Sequence, residues 1–168
     1  IMMIANGDDI GSGSKSFIEK NNYAEFFDVA KEIIAQYGDK IVFPVDMAWT
    51  ENKIRKEAKI GEIPADAAIT DIGAATTAKY QEIIRSSETV FVNGPMGIFE
   101  EEPTEYGTKG VWEALGDTKA YTVVGGGDSI TATTKYKKTD DISYICTGGG
   151  ALIRFLTGEE LPVVKALR

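Results

Sequence analysis

At 168 residues the chain is long enough for one domain with a sizeable core, and 43% hydrophobic with 26% charged residues is the balance of a soluble globular protein. A net charge of −8 argues against nucleic acid or an anionic membrane as partner, but leaves nucleotides open, because backbone amides and a divalent metal can supply a local positive field. With no histidine, Ser-His-Asp and Cys-His catalysis and His-containing zinc sites are excluded; the single cysteine, Cys146, excludes an intrachain disulfide and fits a reducing, cytoplasmic compartment. No apolar run is long enough to cross a bilayer. The start, Ile1-Met-Met-Ile-Ala-Asn6, has no basic region ahead of an apolar one, so no signal peptide is expected. It also does not open on an initiator methionine, which fits a fragment or a processed chain.

Asn22 to Tyr37 reads as an amphipathic helix with Phe26, Ala30, Ile33 and Ile34 on one face and Gly38 as its terminator. Ile41 to Val45 reads as a buried strand with Pro44 near its end, and Ala48 to Pro64 as a polar excursion on the surface. A short strand over Ala67–Asp71 precedes a helix from about Ala75 to Arg85. The order then becomes regular. Strands at Thr89–Asn93, Ala120–Val124 and Ile142–Cys146 alternate with helices at Thr108–Leu115, Ser129–Lys135 and Gly149–Leu156. Short, continuously apolar strands alternating with helices predict a doubly wound parallel sheet in a three-layer α/β/α, Rossmann-like arrangement. No internal linker, repeat or low-complexity segment is present.

Each of the last three strands runs into a glycine-bearing loop: Asn93-Gly-Pro-Met-Gly97, Gly125-Gly-Gly-Asp128 and Thr147-Gly-Gly-Gly150. In a parallel sheet these loops share the carboxyl edge, where ligands bind, and helix N-termini there offer free N–H groups to an anion. The bland reading of Gly125–Ser129 is a tight turn with Asp128 or Ser129 as N-cap. The functional one is a phosphate cradle beside a metal-holding carboxylate, and two such loops on one edge favour it. Glu100 opens an acidic run that is by default a solvated face, but it stands where a carboxylate could accept ribose hydroxyls. Gly11-Ser-Gly-Ser-Lys15-Ser16 is not a Walker motif, because Ser14 stands where glycine must precede the lysine, and no Gly-x-Gly-x-x-Gly follows a strand.

Val92-Asn-Gly-Pro-Met-Gly-Ile-Phe-Glu100, Gly125-Gly-Gly-Asp-Ser129 and Cys146-Thr-Gly-Gly-Gly-Ala151, together with Pro44-Val-Asp46, Asp71-Ile-Gly73 and Leu161-Pro-Val163, resemble in order and spacing the motifs of phosphoglycerate kinases. The resemblance runs over nearly the whole chain. It covers the second, nucleotide-binding domain of that family without its opening segment, which carries a Gly-Ala-Lys motif and a phosphate-contacting lysine, and nothing of the N-terminal domain that binds 3-phosphoglycerate. Residue by residue it implies Asn93 near the nucleotide phosphates, Glu100 on the ribose, and Gly125, Gly126 and Gly127 around the nucleotide. It further implies Asp128 on Mg2+, Ser129 at the phosphates, and Gly148, Gly149 and Gly150 facing the transferring phosphoryl group, so that Gly127, Gly148 and Gly149 are the expected catalytic amides. Thr70 stands where many members place an adenine-pocket leucine, and Val92, Ser129, Cys146 and Val163 replace the usual tryptophan, threonine, serine and glycine.

The implied activity is reversible phosphoryl transfer between 1,3-bisphosphoglycerate and ADP, giving 3-phosphoglycerate and ATP, with MgATP or MgADP as substrate and the N-terminal half of the enzyme as partner. These 168 residues alone are expected to be inactive. Two other classes stand beside this reading: a stand-alone nucleotide-binding module, and a structural remnant that binds nothing.

Overall fold

The computed structural model describes all residues from Ile1 to Arg168. Its elements follow one another as helices α1 (Met2–Ala5), α2 (Gly11–Lys20) and α3 (Phe27–Tyr37), strands β1 (Asp46–Glu51), β2 (Ile54–Lys59) and β3 (Ile69–Ile72), helix α4 (Ala74–Ser86), strand β4 (Thr89–Val92), helix α5 (Tyr106–Asp117), strand β5 (Tyr121–Gly125), helix α6 (Gly127–Lys135), strand β6 (Tyr144–Cys146), and helices α7 (Gly149–Leu156) and α8 (Pro162–Ala166). The α/β class expected from the sequence is the one observed: a parallel sheet flanked by helices in the Rossmann-like manner. The chain divides into two compact units, one of Ile1–Lys79 with Gly97–Gly107, the other of Tyr80–Met96 with Thr108–Arg168.

In the first unit β1 is the middle strand of an antiparallel trio, β2-β1-β3. Pairing of Glu51 with Ile54 leaves Asn52 and Lys53 as a two-residue turn, both at positive φ (51° and 63°), as a type I′ hairpin requires. The segment expected to be a surface excursion is therefore a β-hairpin, and the strand expected over Ile41–Val45 begins instead at Asp46. Proline has no N–H to give a ladder, which disfavours Pro44 as an internal strand residue. The helix expected from Asn22 starts only at Phe27. Asn22 sits in the left-handed region (φ 57°), and a 3-10 turn over Tyr23–Phe26 follows it.

In the second unit β4, β5 and β6 run parallel in that order, with Val92 opposite Val124 and Gly125 opposite Cys146. The core is built around Trp112, Ala114 and Leu115 of α5, Val124 of β5 and Ala132 of α6, all essentially without solvent exposure. The Trp112 indole N–H donates to Thr133 Oγ1 (2.8 Å), and that hydroxyl donates to the Ser129 carbonyl (2.8 Å), which ties α5 to the first turns of α6. These strands and helices form where the sequence places them because the apolar runs are short, continuous and separated by turn residues.

Candidate functional site

Because β4, β5 and β6 are parallel, the loops that follow them leave from one edge of the sheet, and contacts among those loops lock them together. The Gly94 N–H donates to Ser129 Oγ (2.6 Å), joining the loop after β4 to the one after β5. The Met96 N–H donates to Thr108 Oγ1 (3.1 Å), a fully buried hydroxyl. Gly149 packs so closely that a Cβ there would lie 2.9 Å from Gly126 Cα and 3.1 Å from its nitrogen, so the loops after β5 and β6 touch backbone to backbone. Gly126 itself adopts φ 93°, ψ 145°, a conformation closed to other L residues at ordinary cost, and a Cβ on it would stand 3.0 Å from Asn93 Oδ1. The glycines are there to let three backbones converge.

What converges is two helix N-termini. Helix α6 begins at Gly127 with Gly126 as N-cap, and α7 at Gly149 with Gly148 as N-cap; neither N-cap supplies a side-chain hydrogen bond. The turn reading of the glycine run, with Asp128 or Ser129 as N-cap, is therefore not what the fold does. Ser129 is completely buried, and its hydroxyl accepts from Gly94 while keeping a proton to donate. Asp128 is exposed in the first turn of α6, where the helix dipole favours a negative charge. Gly127, Gly148, Gly150 and Asn93 are exposed and Gly149 is half-buried. First-turn amides of two adjacent, uncapped helices are donors that can take an anion without any lysine or arginine. No group of three or more Asp, Glu or Cys side chains is arranged to enclose a metal ion, so Asp128 acts as a single carboxylate.

The other two expected contact residues lie in the first unit. Thr70 is on β3, its carbonyl accepting from the Ile98 N–H (2.8 Å). It lines a cavity of about 720 Å³ whose walls include Ile10, Phe17, Tyr23, Ile69 and Ile98. Its hydroxyl is the one buried side-chain polar atom in the protein that lacks a hydrogen-bond partner. An unpaired buried hydroxyl costs about 1–3 kcal/mol. Neither the cavity nor the unpaired hydroxyl is visible in the sequence, where Thr70 is one polar residue inside a short strand. Glu100 is exposed, in the loop between Gly97 and Gly107.

Comparison with known proteins agrees with the motifs. A family model described as "Phosphoglycerate kinase" matches residues 1–159. The chain is 38% identical over 167 residues to a phosphoglycerate kinase of Methanopyrus kandleri and 41% identical over 167 residues to that of Thermoplasma acidophilum, covering 99% and 98% of this chain but only 41% and 40% of those proteins. The crystal structure of phosphoglycerate kinase from Pyrococcus horikoshii OT3 superposes with a TM-score of 0.90 at 38% identity, covering 99% of this chain and 42% of that one. The structure of phosphoglycerate kinase from Coxiella burnetii gives 0.83 at 31% identity, over 98% of this chain and 42% of that one. The chain spans about two fifths of the length of the relatives it matches. It belongs to the phosphoglycerate kinase family.

Proposed function

We propose that these residues supply the nucleotide half of a phosphoglycerate kinase, the glycolytic transferase that moves a phosphoryl group between 1,3-bisphosphoglycerate and ADP. The observation that carries this is the pair of uncapped helix N-termini held side by side by the Gly149–Gly126 contact at the carboxyl edge of a parallel sheet. On this reading the accessible amides of Gly127 and Asp128 and those of Gly149 and Gly150 donate to phosphate oxygens, with the buried Ser129 behind them, and Asn93 borders the same cradle through Gly126. Gly127, Gly148 and Gly149 are the backbone groups beside the transferring phosphoryl. Their work is positioning and charge stabilisation, which dominate this class of reaction.

Mg2+ fits the residues present: it is commonly bound through one or two carboxylates plus substrate phosphates and water, and a lone exposed Asp128 beside an anion cradle offers that. The ion would neutralise phosphate charge, with Asp128 as its ligand from this chain. Glu100 accepts ribose hydroxyls, and the apolar cavity that Thr70 helps to line takes the base. The acceptor carboxylate belongs to the N-terminal domain that the family resemblance implies.

Calorimetric titration with MgADP, with ADP in chelator and with adenosine tests the reading. MgADP should bind tightest, Asp128→Asn should erase the difference that Mg2+ makes, and Glu100→Gln should weaken ADP where Glu101→Gln does not. Absence of MgADP binding would remove the nucleotide reading. Robust turnover of 1,3-bisphosphoglycerate by the purified 168-residue chain would overturn the division into two halves.

A further inference from the structure

Arg55 lies on β2, opposite Thr50 of β1, in the hairpin whose sequence is merely polar. Its side chain is only 19% exposed. Nη1 donates to Asp71 Oδ2 (2.8 Å) and to the Pro103 carbonyl (3.2 Å), Nη2 to the Ile72 carbonyl (2.8 Å), and Nε to Glu57 Oε1 (2.6 Å). The guanidinium also stands 5.0 Å from the centre of the Tyr106 ring. Asp71, whose side chain has no solvent exposure, accepts from the Gly107 N–H (2.8 Å) through the oxygen that takes Arg55, and from the Ile72 N–H (2.9 Å) through the other.

Three of these contacts, at Pro103, Tyr106 and Gly107, fall on one segment, Gly97–Gly107. The Ile98 N–H fixes the other end of that segment to the Thr70 carbonyl (2.8 Å). Glu100 rides on it, exposed, between the two anchors. A pair serving only the hairpin would have no need to reach forward to residues 103–107. The planar fork of arginine meets all these acceptors at once, which a lysine ammonium on a flexible stem cannot do.

We propose that Arg55 and Asp71 are positioning residues that hold the Gly97–Gly107 segment so that Glu100 is preset for the two hydroxyls of a ribose. The inference rests on the reading of Glu100 as the ribose contact. Its physical content is preorganisation: an exposed carboxylate on an untethered loop would have to be ordered on binding, at a cost in affinity.

The test uses the whole chain with Arg55→Lys, which keeps a cation beside buried Asp71 and so protects the fold. Arg55→Met serves as a second variant if its unfolding transition remains cooperative. The ligands are MgADP, the same nucleotide lacking both ribose hydroxyls, and inorganic pyrophosphate with Mg2+. Hydrogen exchange at amides 98–107 should speed up in Arg55→Lys. Affinity for MgADP should fall roughly tenfold, in line with losing most of a hydrogen bond to a charged group. Affinity for the dideoxy nucleotide and for pyrophosphate should stay within about twofold, and in a Glu100→Gln background the same substitution should cost nothing further. Unchanged exchange at 98–107, or equal losses for ADP and its dideoxy form, would overturn the positioning role. Equal affinity of the unsubstituted chain for those two nucleotides would instead overturn the ribose reading of Glu100, and this inference with it.

Discussion

Gly126 and Gly127 are adjacent, identical in side chain and equally part of the glycine run, yet alanine at the two positions should move stability in opposite directions. At Gly126 the backbone holds φ 93° and ψ 145°, close to the region that only glycine occupies readily, and forcing an alanine there costs about 1–3 kcal/mol. The added methyl would also stand 3.0 Å from Asn93 Oδ1, but that is the end of an exposed side chain that can turn aside, so the steric part is small beside the backbone part. At Gly127, the first residue of α6, a Cβ meets nothing within 4 Å and φ lies outside the left-handed range. Replacing a helical glycine by alanine gains up to about 1 kcal/mol, less at a first-turn position. The two variants should therefore differ by about 1–4 kcal/mol. With a urea slope of roughly 2 kcal/mol per molar, their midpoints should lie at least about 0.5 M apart, on either side of the unsubstituted protein. Urea unfolding followed by circular dichroism reads this directly. Equal destabilisation by both would mean that Gly126 is not held in that conformation, and the argument that the loops converge through it would fail.

Asp128→Asn should leave the urea midpoint nearly unchanged, because the side chain is exposed and α6 has its N-cap at Gly126, while Mg2+-dependent nucleotide affinity falls; a stability loss with unaltered Mg2+ dependence would make Asp128 a structural residue. Ser129→Ala should cost about 1–3 kcal/mol, since it strands the Gly94 N–H that now donates at 2.6 Å to a fully buried hydroxyl, and a neutral effect in the same urea assay would show that water replaces it. For Asp71, burial pushes the carboxyl above its ordinary 3.8, against the opposing pull of the Gly107 N–H, Arg55 and the Ile72 N–H. The folded state then holds the proton more tightly than the unfolded chain, so this group's contribution to stability is complete below the unfolded value and is lost as pH rises through the folded one. The stability difference between the unsubstituted chain and Asp71→Asn should accordingly shrink as pH is raised from about 3 upward and then level off; a difference that grows with pH would reverse the assignment.

The second unit was legible because its strands carry their own punctuation. Runs such as Tyr121–Gly125 are apolar and continuous, each ends in glycines, and the helix pattern restarts at once. The first unit hides its strands. In β1 the first four residues are all buried, while most of β2 is exposed, so neither shows the alternation that marks a half-buried strand. The hairpin turn is Asn52-Lys53 where the usual signal is Asn-Gly: the lysine accepts a left-handed conformation for which its type gives no warning. Arg55 escaped because it matters through partners 16 to 48 residues away, which leaves no local pattern; Thr70 was marked only by the family resemblance, and its unpaired hydroxyl left no sign in the sequence.

Helix α4 shows why glycine alone does not mark a ligand site. Like α6 and α7 it starts directly after a glycine, Gly73, and in sequence the three beginnings look alike. In α4, however, the first-turn amides are already taken: Glu57 Oε2 accepts from Ala74 (3.0 Å), and the two oxygens of the buried Asp46 accept from Ala75 (2.9 Å) and Thr76 (2.7 Å). A carboxylate from 30 residues upstream thus occupies the place that an anion would otherwise take. Neither Gly126 nor Gly148 caps its helix with a side chain, and the close packing at Gly149 leaves the two N-termini adjacent and open. What separates a filled helix start from one free to take a ligand in this protein is whether a distant side chain occupies it, which only the tertiary structure decides.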